Sequence, residues 1–336
     1  DFCLSRGLGD VYKRQATYGY LANSDLLHSL TNGSQQTTFL YEPHRNLKTQ
    51  IRNQYSNTLI SQYDYSYDTI GRRTSVIDRG SAFTTAAYNR YGYNDRNELT
   101  STNRYAGTDT SNTSTPITPS ARAYTYDPIG NRTQATAWDK ANSVARLLTY
   151  TANQLNQYQL IAGSDSTQQN FTYDDDGNMT TLTSNGTTKR FTYNAENRLV
   201  SVSPQTPTQG DSSTTFTYDF MGRRIKKTVS TYSSGSWTLT TDQTFLYDGW
   251  NMIRETSTSS GTTTTKSYIW GLDLSQTLQG AGGVGGLVTS IEATSSSSTA
   301  TSRAYCYDGN GNVTQLVSTT DGTILAHYEY DPYGNI

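Results

Sequence analysis

The stretch YTYDPIGNRT, residues 124–133, returns near the far end of the chain as HYEYDPYGNI, residues 327–336. In both, two aromatic residues stand two positions apart, which places their rings on one face of a strand because successive strand side chains point to opposite faces. The tyrosine is followed by Asp-Pro-x-Gly. Asp at the first turn position can bond its own backbone two residues on, Pro presets the second position, and Gly relieves the exit, as a type I turn prefers. Each copy therefore reads as a strand that ends on a ring and runs straight into a corner.

Loosened to a tyrosine followed by a polar turn, with Y-D-x-x-G-N/R as its clearest form, the phrase occurs twelve times, anchored on Tyr20, Tyr41, Tyr67, Tyr93, Tyr126, Tyr150, Tyr173, Tyr193, Tyr218, Tyr247, Tyr307 and Tyr330. The gap between Tyr247 and Tyr307 holds a divergent copy, YIWGLDL from Tyr268. A second aromatic precedes the anchor by two positions in every copy except Leu148/Tyr150. Repetition at this scale is the signature of a repeat architecture. The residues expected to carry it are Tyr67, Asp68 and Gly71; Tyr126, Asp127 and Gly130; Tyr173, Asp174 and Gly177; Tyr218, Asp219 and Gly222; Tyr247 and Asp248; Tyr307, Asp308 and Gly311; and Tyr330, Asp331 and Gly334. Between copies lie alternating Thr/Ser-rich stretches, with Asn185-Gly186 marking a tight hairpin. Only VARLLTYTANQLNQYQL has a faint helical pattern, and its β-aromatic setting argues against a helix. The fold class expected is all-β: one long antiparallel sheet of hairpins from Ala16 to Ile336.

Composition fits a thin structure. Leu, Ile, Val and Phe supply only 55 of 336 residues, yet the chain has 27 tyrosines and a net charge of −2. Disordered chains are poor in aromatics and strongly charged, so tyrosine is the expected bulk hydrophobe, with its ring buried and its hydroxyl hydrogen-bonded or wet. Twenty-six basic and 28 acidic residues, well mixed, give no electrostatic footprint for nucleic acid or an anionic membrane. No run approaches the roughly 18 apolar residues of a membrane-spanning helix.

Several sharper chemical readings yield to the repeat. GAGGVG at residues 280–285 satisfies a dinucleotide pattern, but LVTSIEA after it is short and β-branched where a helix is required. DDDGN at residues 174–178 invites calcium, but an EF-hand counted from Asp174 would need Gly at Met179 and Glu at Asn185. Cys306 occupies a slot that elsewhere holds Thr or Leu between two aromatics, which marks a strand residue. His28, His44 and His327 are scattered without motif spacing. No catalytic residue, cofactor site or metal site is assigned. Residues 5–15, SRGLGDVYKRQ, resemble the translation of a sequencing-library adapter, so residues 1–15, Cys3 included, are expected to be a scar outside the native fold. The repeat segment, 16–336, is then expected to be truncated at both ends.

The Y-D-x-x-G-N/R pattern resembles the tyrosine-aspartate repeats of the bacterial rearrangement-hotspot (RHS) family, shared with insecticidal toxin-complex subunits, wall-associated polymorphic toxins and animal teneurins. YIWGLDLSQTLQGAGGVGGLV is similar to a segment of the bacterial branch that lies shortly before the conserved core closing the repeats. The resemblance implies a sheet spiralling into part of a hollow shell around a variable C-terminal toxin domain. It implies a structural role in a secreted or cell-surface bacterial toxin, with that toxin domain, a secretion system or an immunity protein as partners. Self-cleavage belongs to a core beyond the repeats, so the protease role is not carried onto Asp127 or Asp331. The rival expectation is a cell-surface adhesin whose tyrosine rows bind carbohydrate.

Overall fold

The computed structural model describes residues 16–139 and 143–336; the adapter-like segment lies outside them. Twenty-five strands follow one another with no α-helix among the described residues. The first nine are β1 (Ala16–Tyr20), β2 (Leu27–Asn32), β3 (Gln35–Tyr41), β4 (Lys48–Tyr55), β5 (Thr58–Tyr67), β6 (Arg73–Arg79), β7 (Ala87–Tyr93), β8 (Leu99–Ala106) and β9 (Arg122–Tyr126). Next come β10 (Arg132–Asp139), β11 (Val144–Ala152), β12 (Tyr158–Gly163), β13 (Gln168–Tyr173), β14 (Met179–Ser184), β15 (Thr187–Tyr193), β16 (Leu199–Pro204) and β17 (Ser212–Tyr218). The last eight are β18 (Arg224–Ser233), β19 (Ser236–Asp248), β20 (Asn251–Ser259), β21 (Thr262–Trp270), β22 (Leu287–Thr294), β23 (Thr301–Tyr307), β24 (Val313–Ser318) and β25 (Ile324–His327). Each pairs antiparallel with its sequence neighbour, from β1 with β2 to β24 with β25, so the chain is one continuous strip.

The strip has two unlike rims. On one, two-residue loops join paired positions: Ser184 opposes Thr187, Ser233 opposes Ser236 and Ser259 opposes Thr262. Their central residues have positive φ, as at Asn185 (49°) and Gly186 (80°), the geometry whose twist matches that of the flanking strands. The other rim carries the tyrosine-aspartate corners. At nearly every corner the register slips beside the strand's last ring, as between Ser66 and Tyr67, Thr172 and Tyr173, and Cys306 and Tyr307. Such a bulge sharpens the local twist.

The strip does not close into a barrel by edge pairing. Its first strands lie face to face with its last. Asn32 Nδ2 donates to Thr289 Oγ1 at 2.6 Å, Ser61 Oγ to Gln315 Oε1 at 2.7 Å, and Gln315 Nε2 to Tyr63 OH at 3.2 Å. Burial follows this overlap. Ile51, Tyr63, Tyr65 and Val76 form one core cluster, and Ile60, Cys306 and Val317 another that spans the two layers. Between Ala135 and Asp273, by contrast, no described residue is buried. The middle of the array is thus a single layer with water on both sides.

The slot between paired rings is filled differently where its own face is covered. It is exposed Thr at Thr172, Thr192 and Thr217, and exposed Leu at Leu246, all in the single layer. In the overlap, Cys306 fills it and is fully buried. A small apolar side chain suits a covered face, where a hydroxyl would need a partner.

Candidate functional site

The unit built again and again is the corner. At Asp68, Asp127, Asp174, Asp219, Asp308 and Asp331, the Asp amide donates to the carbonyl four residues on, and the Gly amide donates back to the Asp carbonyl. One carboxylate oxygen accepts the amides two and four residues on, at 2.8–3.1 Å. Gly71, Gly130, Gly177, Gly222, Gly311 and Gly334 have φ between 78° and 94°, a region costly for residues with a Cβ. Asn97, Asn156 and Asn197 hold the same position in copies that begin with Asn94, Asn153 and Asn194.

The Asn or Arg after that position bonds its own turn and, at Arg72, Asn131, Asn178 and Arg223, the next corner as well. It bonds the second carboxylate oxygen of its own turn, as Arg72 Nε does to Asp68 Oδ2 at 2.7 Å and Asn131 Nδ2 to Asp127 Oδ2 at 2.8 Å. It also reaches the following corner: Arg72 to Asn97 Oδ1 (2.9 Å), Asn131 to Asn156 Oδ1 (3.1 Å) and Asn178 to Asn197 Oδ1 (2.9 Å). The N/R letter is therefore a corner-to-corner tie. At Asp68, Asp127, Asp174 and Asp219 these bonds hold the carboxylate below its ordinary range. At Asp68 and Asp174 the side-chain bond from Arg72 or Asn178 is the main cause. At Asp127 and Asp219 burial pulls upward and is outweighed by the bonds from Asn131 and Arg223.

The anchor ring ties strands. Tyr67 OH donates to Lys48 O at 2.7 Å, Tyr126 to Leu99 O at 2.7 Å, and Tyr173 to Tyr158 O at 2.8 Å. Tyr218 donates to Leu199 O at 2.7 Å, Tyr307 to Leu287 O at 2.6 Å, and Tyr330 to Val313 O at 2.7 Å. In these six the acceptor is the first residue of the strand before. Pairing of β4 with β5 begins only at Gln50 and Asp64, so the Lys48 carbonyl lies beyond the ladder and the hydroxyl satisfies it.

Three copies depart from the sequence alignment. Asn153 begins the corner after β11, so the anchor position is Ala152, and Tyr150 is the ring two before it. Tyr158 makes up the loss by donating to Arg132 O at 3.1 Å. In the divergent copy the anchor is Trp270, whose Nε1 donates to Met252 O at 2.7 Å; Tyr268 is the preceding ring. Tyr247 donates to Arg224 O at 3.0 Å, but Asp248 ends β19 and pairs with Asn251, leaving only Gly249-Trp250 as the loop. The loop is too short for the Asp-capped corner. Spacing to the capped Asp273 would have pointed to Leu272, directly before it, so the indole's role shows only in its bond to the Met252 carbonyl.

GAGGVG is part of the loop between β21 and β22. The Asp273 carboxylate accepts the amides of Ala281 (2.7 Å) and Gly283 (3.1 Å) and the Ser275 hydroxyl (2.5 Å). Burial would raise that carboxyl, and these bonds outweigh it to leave it lowered. Asp174, first of DDDGN, has both oxygens engaged within its corner. Cys306 accepts Gln35 Nε2 at 3.0 Å, and burial pushes its thiol up to about 12, so it stays protonated at neutral pH. His327 packs edge-on against Phe83 at 4.9 Å, within the overlap.

Arg104, Asp78 and Glu329 link the layers beside a polar cavity of about 370 Å³. Arg104 Nη2 lies 2.5 Å from buried Asp78 Oδ2 and 3.0 Å from Glu329 Oε2 of the opposite layer.

Comparison with known proteins agrees with this geometry. Residues 173–208 match the RHS Repeat family model. The chain is 29% identical over 214 residues to the tRNA3(Ser)-specific nuclease WapA of Bacillus spizizenii, covering 63% of this chain and 7% of that protein. It is 28% identical over 214 residues to double-stranded DNA deaminase toxin A of Burkholderia cenocepacia, covering 58% of this chain and 14% of that protein. The crystal structure of TcdB2-TccC3 superposes on 92% of this chain and 18% of that one, with a TM-score of 0.50 at 14% identity, a likeness of fold. The chain thus spans a small part of each of these three proteins. The tyrosine-capped corners and ties found at the matched RHS repeat, residues 173–208, recur along the continuous strip.

Proposed function

We propose that residues 16–336 are a wall segment of a secreted bacterial polymorphic toxin, and that the wall encloses a toxin domain carried on the same polypeptide. Residues 1–15 are, on this reading, foreign to the fold. The observation that carries the proposal is the overlap of the strip's two ends around a single-layered middle, a form suited to surrounding something and poorly suited to a deep enzyme cleft. The names of the curated relatives, a nuclease and a deaminase toxin, support a toxin setting. The mechanism is sequestration. A strip whose edges are covered hides both its backbone donors and its cargo until it is opened. The residues that bear this role are structural: the Tyr, Asp and Gly of each corner. A secretion apparatus and an immunity protein are the partners such cargo requires.

The carbohydrate-adhesin reading is weaker, because the anchor hydroxyls are already bound to backbone carbonyls. Electron microscopy of the full-length protein tests the proposal. A hollow particle with density inside is expected, whereas a solid or extended particle would refute it.

A further inference from the structure

Where the two layers meet, corners of the later strands seat on a feature that recurs in the earlier ones: the ring two before a strand's anchor, beside a cation that opens the next strand. At the Asp308 corner, the Gly309 amide donates to Tyr65 OH at 2.7 Å and Asn310 Oδ1 accepts from Arg73 Nη1 at 3.2 Å, with Arg73 lying 4.3 Å over Tyr65. A Cβ on Gly309 would stand 2.9 Å from that ring. At the Asp331 corner, the tip residue Tyr333 packs edge-on against Tyr124 at 4.9 Å, and Arg132 lies 4.8 Å over Tyr333. Phe39 with Lys48, 5.2 Å over it, repeats the build with lysine and faces Leu272 and Leu274 across a cavity between the layers.

A slot of the same build stands outside the overlap. Arg224, first residue of β18, lies 5.7 Å over Phe216 and 4.9 Å over Phe245. Among the described residues its guanidinium has no hydrogen-bond or ion-pair partner. The adjoining corner, Asp219 to Arg223, presents the other half of the contact. Phe220 at its tip is 91% exposed, the most exposed large hydrophobic side chain among the described residues. A lone exposed apolar residue needs no explanation; a free tip beside a free slot in one repeat does.

We propose that this repeat is a self-association surface: Phe220 of one copy seats over Arg224 and Phe216 of a second copy, and the reverse contact forms by two-fold symmetry. A two-fold interface uses the same patch on both partners and so requires both halves on one surface. This patch holds them. The cation over an aromatic tip reproduces the Arg132–Tyr333 contact, an attraction that strengthens when water is excluded. The inference does not depend on what the array encloses.

Sedimentation velocity of the chain over a series from about 1 to about 200 µM tests it. A reversible dimer is expected, weakened about tenfold or more by Phe220→Ala and by Arg224→Gln. Both side chains are exposed, so thermal unfolding by circular dichroism should match wild type. A monomer throughout the series would overturn the proposal. So would a dimer unchanged by either substitution, since that would locate association at the strip's edges. A monomer that instead binds a cyclised peptide of residues 327–336 in an Arg224-dependent way would assign the slot to another stretch of array and overturn the two-copy pairing.

Discussion

The tyrosine that ends most of the odd-numbered strands works through its hydroxyl as much as through its ring. Tyr218→Phe keeps the ring and removes the donor to Leu199 O, so a loss of about 0.5–1.5 kcal/mol is expected from urea unfolding. Tyr307→Phe should lie at the upper end of that range, because Tyr307 borders the covered layer. The corner carboxylates give a second test. Their folded-state pKa values lie below the ordinary 3.8 at Asp68, Asp127, Asp174 and Asp219. A depressed carboxyl adds stability that is present above its unfolded pKa and lost as pH falls through the folded value. Stability should therefore decline below about pH 4. Asn already starts three corners with the same backbone bonds, so Asp68→Asn combined with Asp174→Asn should fold normally at pH 7 and flatten the acid decline. An unchanged acid limb would show that the corner carboxylates are not its source.

At the scale of the strand pair, the repeat tolerates substitution if some side chain still reaches the orphan carbonyl. Trp270 does so with an indole, and Tyr158 does so from the wrong strand because Ala152 cannot. Tyr158→Phe should destabilise by about 0.5–1.5 kcal/mol, and adding Ala152→Tyr should restore most of that loss. No rescue in this double-mutant cycle would mean that the carbonyl needs no partner. The corners and tight hairpins were legible in the sequence because their chemistry is local: Asp, Gly and Asn-Gly act within four residues of themselves. The register at Ala152 and Trp270 was not, because tyrosine is the repeated letter while the fold fixes which ring meets the orphan carbonyl. The role of the final Asn or Arg was also hidden, since its second partner sits on the next corner, some 20 residues away in sequence, as between Asn178 and Asn197.

On the scale of the whole molecule, stability is concentrated where the layers overlap. Asp78 is buried against Arg104, and its removal leaves the largely buried guanidinium only the half-exposed Glu329, so Asp78→Ala should cost up to about 3 kcal/mol. Glu329 is 54% exposed, and Glu329→Gln should cost less than about 1 kcal/mol. Comparable losses at the two sites in chemical denaturation would contradict this assignment of the core. The sequence announced a long sheet but not its return upon itself, which depends on contacts more than 240 residues apart, such as Ser61 with Gln315. One letter differs there: Cys306 is buried in a slot that Thr172, Thr192, Thr217 and Leu246 leave exposed.

The central claim is that the first and last strands form two layers of one molecule. Asn32 and Thr289 meet across them, with Nδ2 and Oγ1 2.6 Å apart. Cysteines placed at both positions, in a chain whose own cysteines are replaced by alanine, should oxidise to an intramolecular disulfide, read as a faster-migrating monomer on non-reducing gels and as one linked peptide pair by mass spectrometry. A control pair at Thr183 and Thr289, with Thr183 in the single-layered strip, should remain reduced. Failure of the Asn32–Thr289 pair to link within one chain, or equal linking of the control, would contradict the overlap on which the account rests.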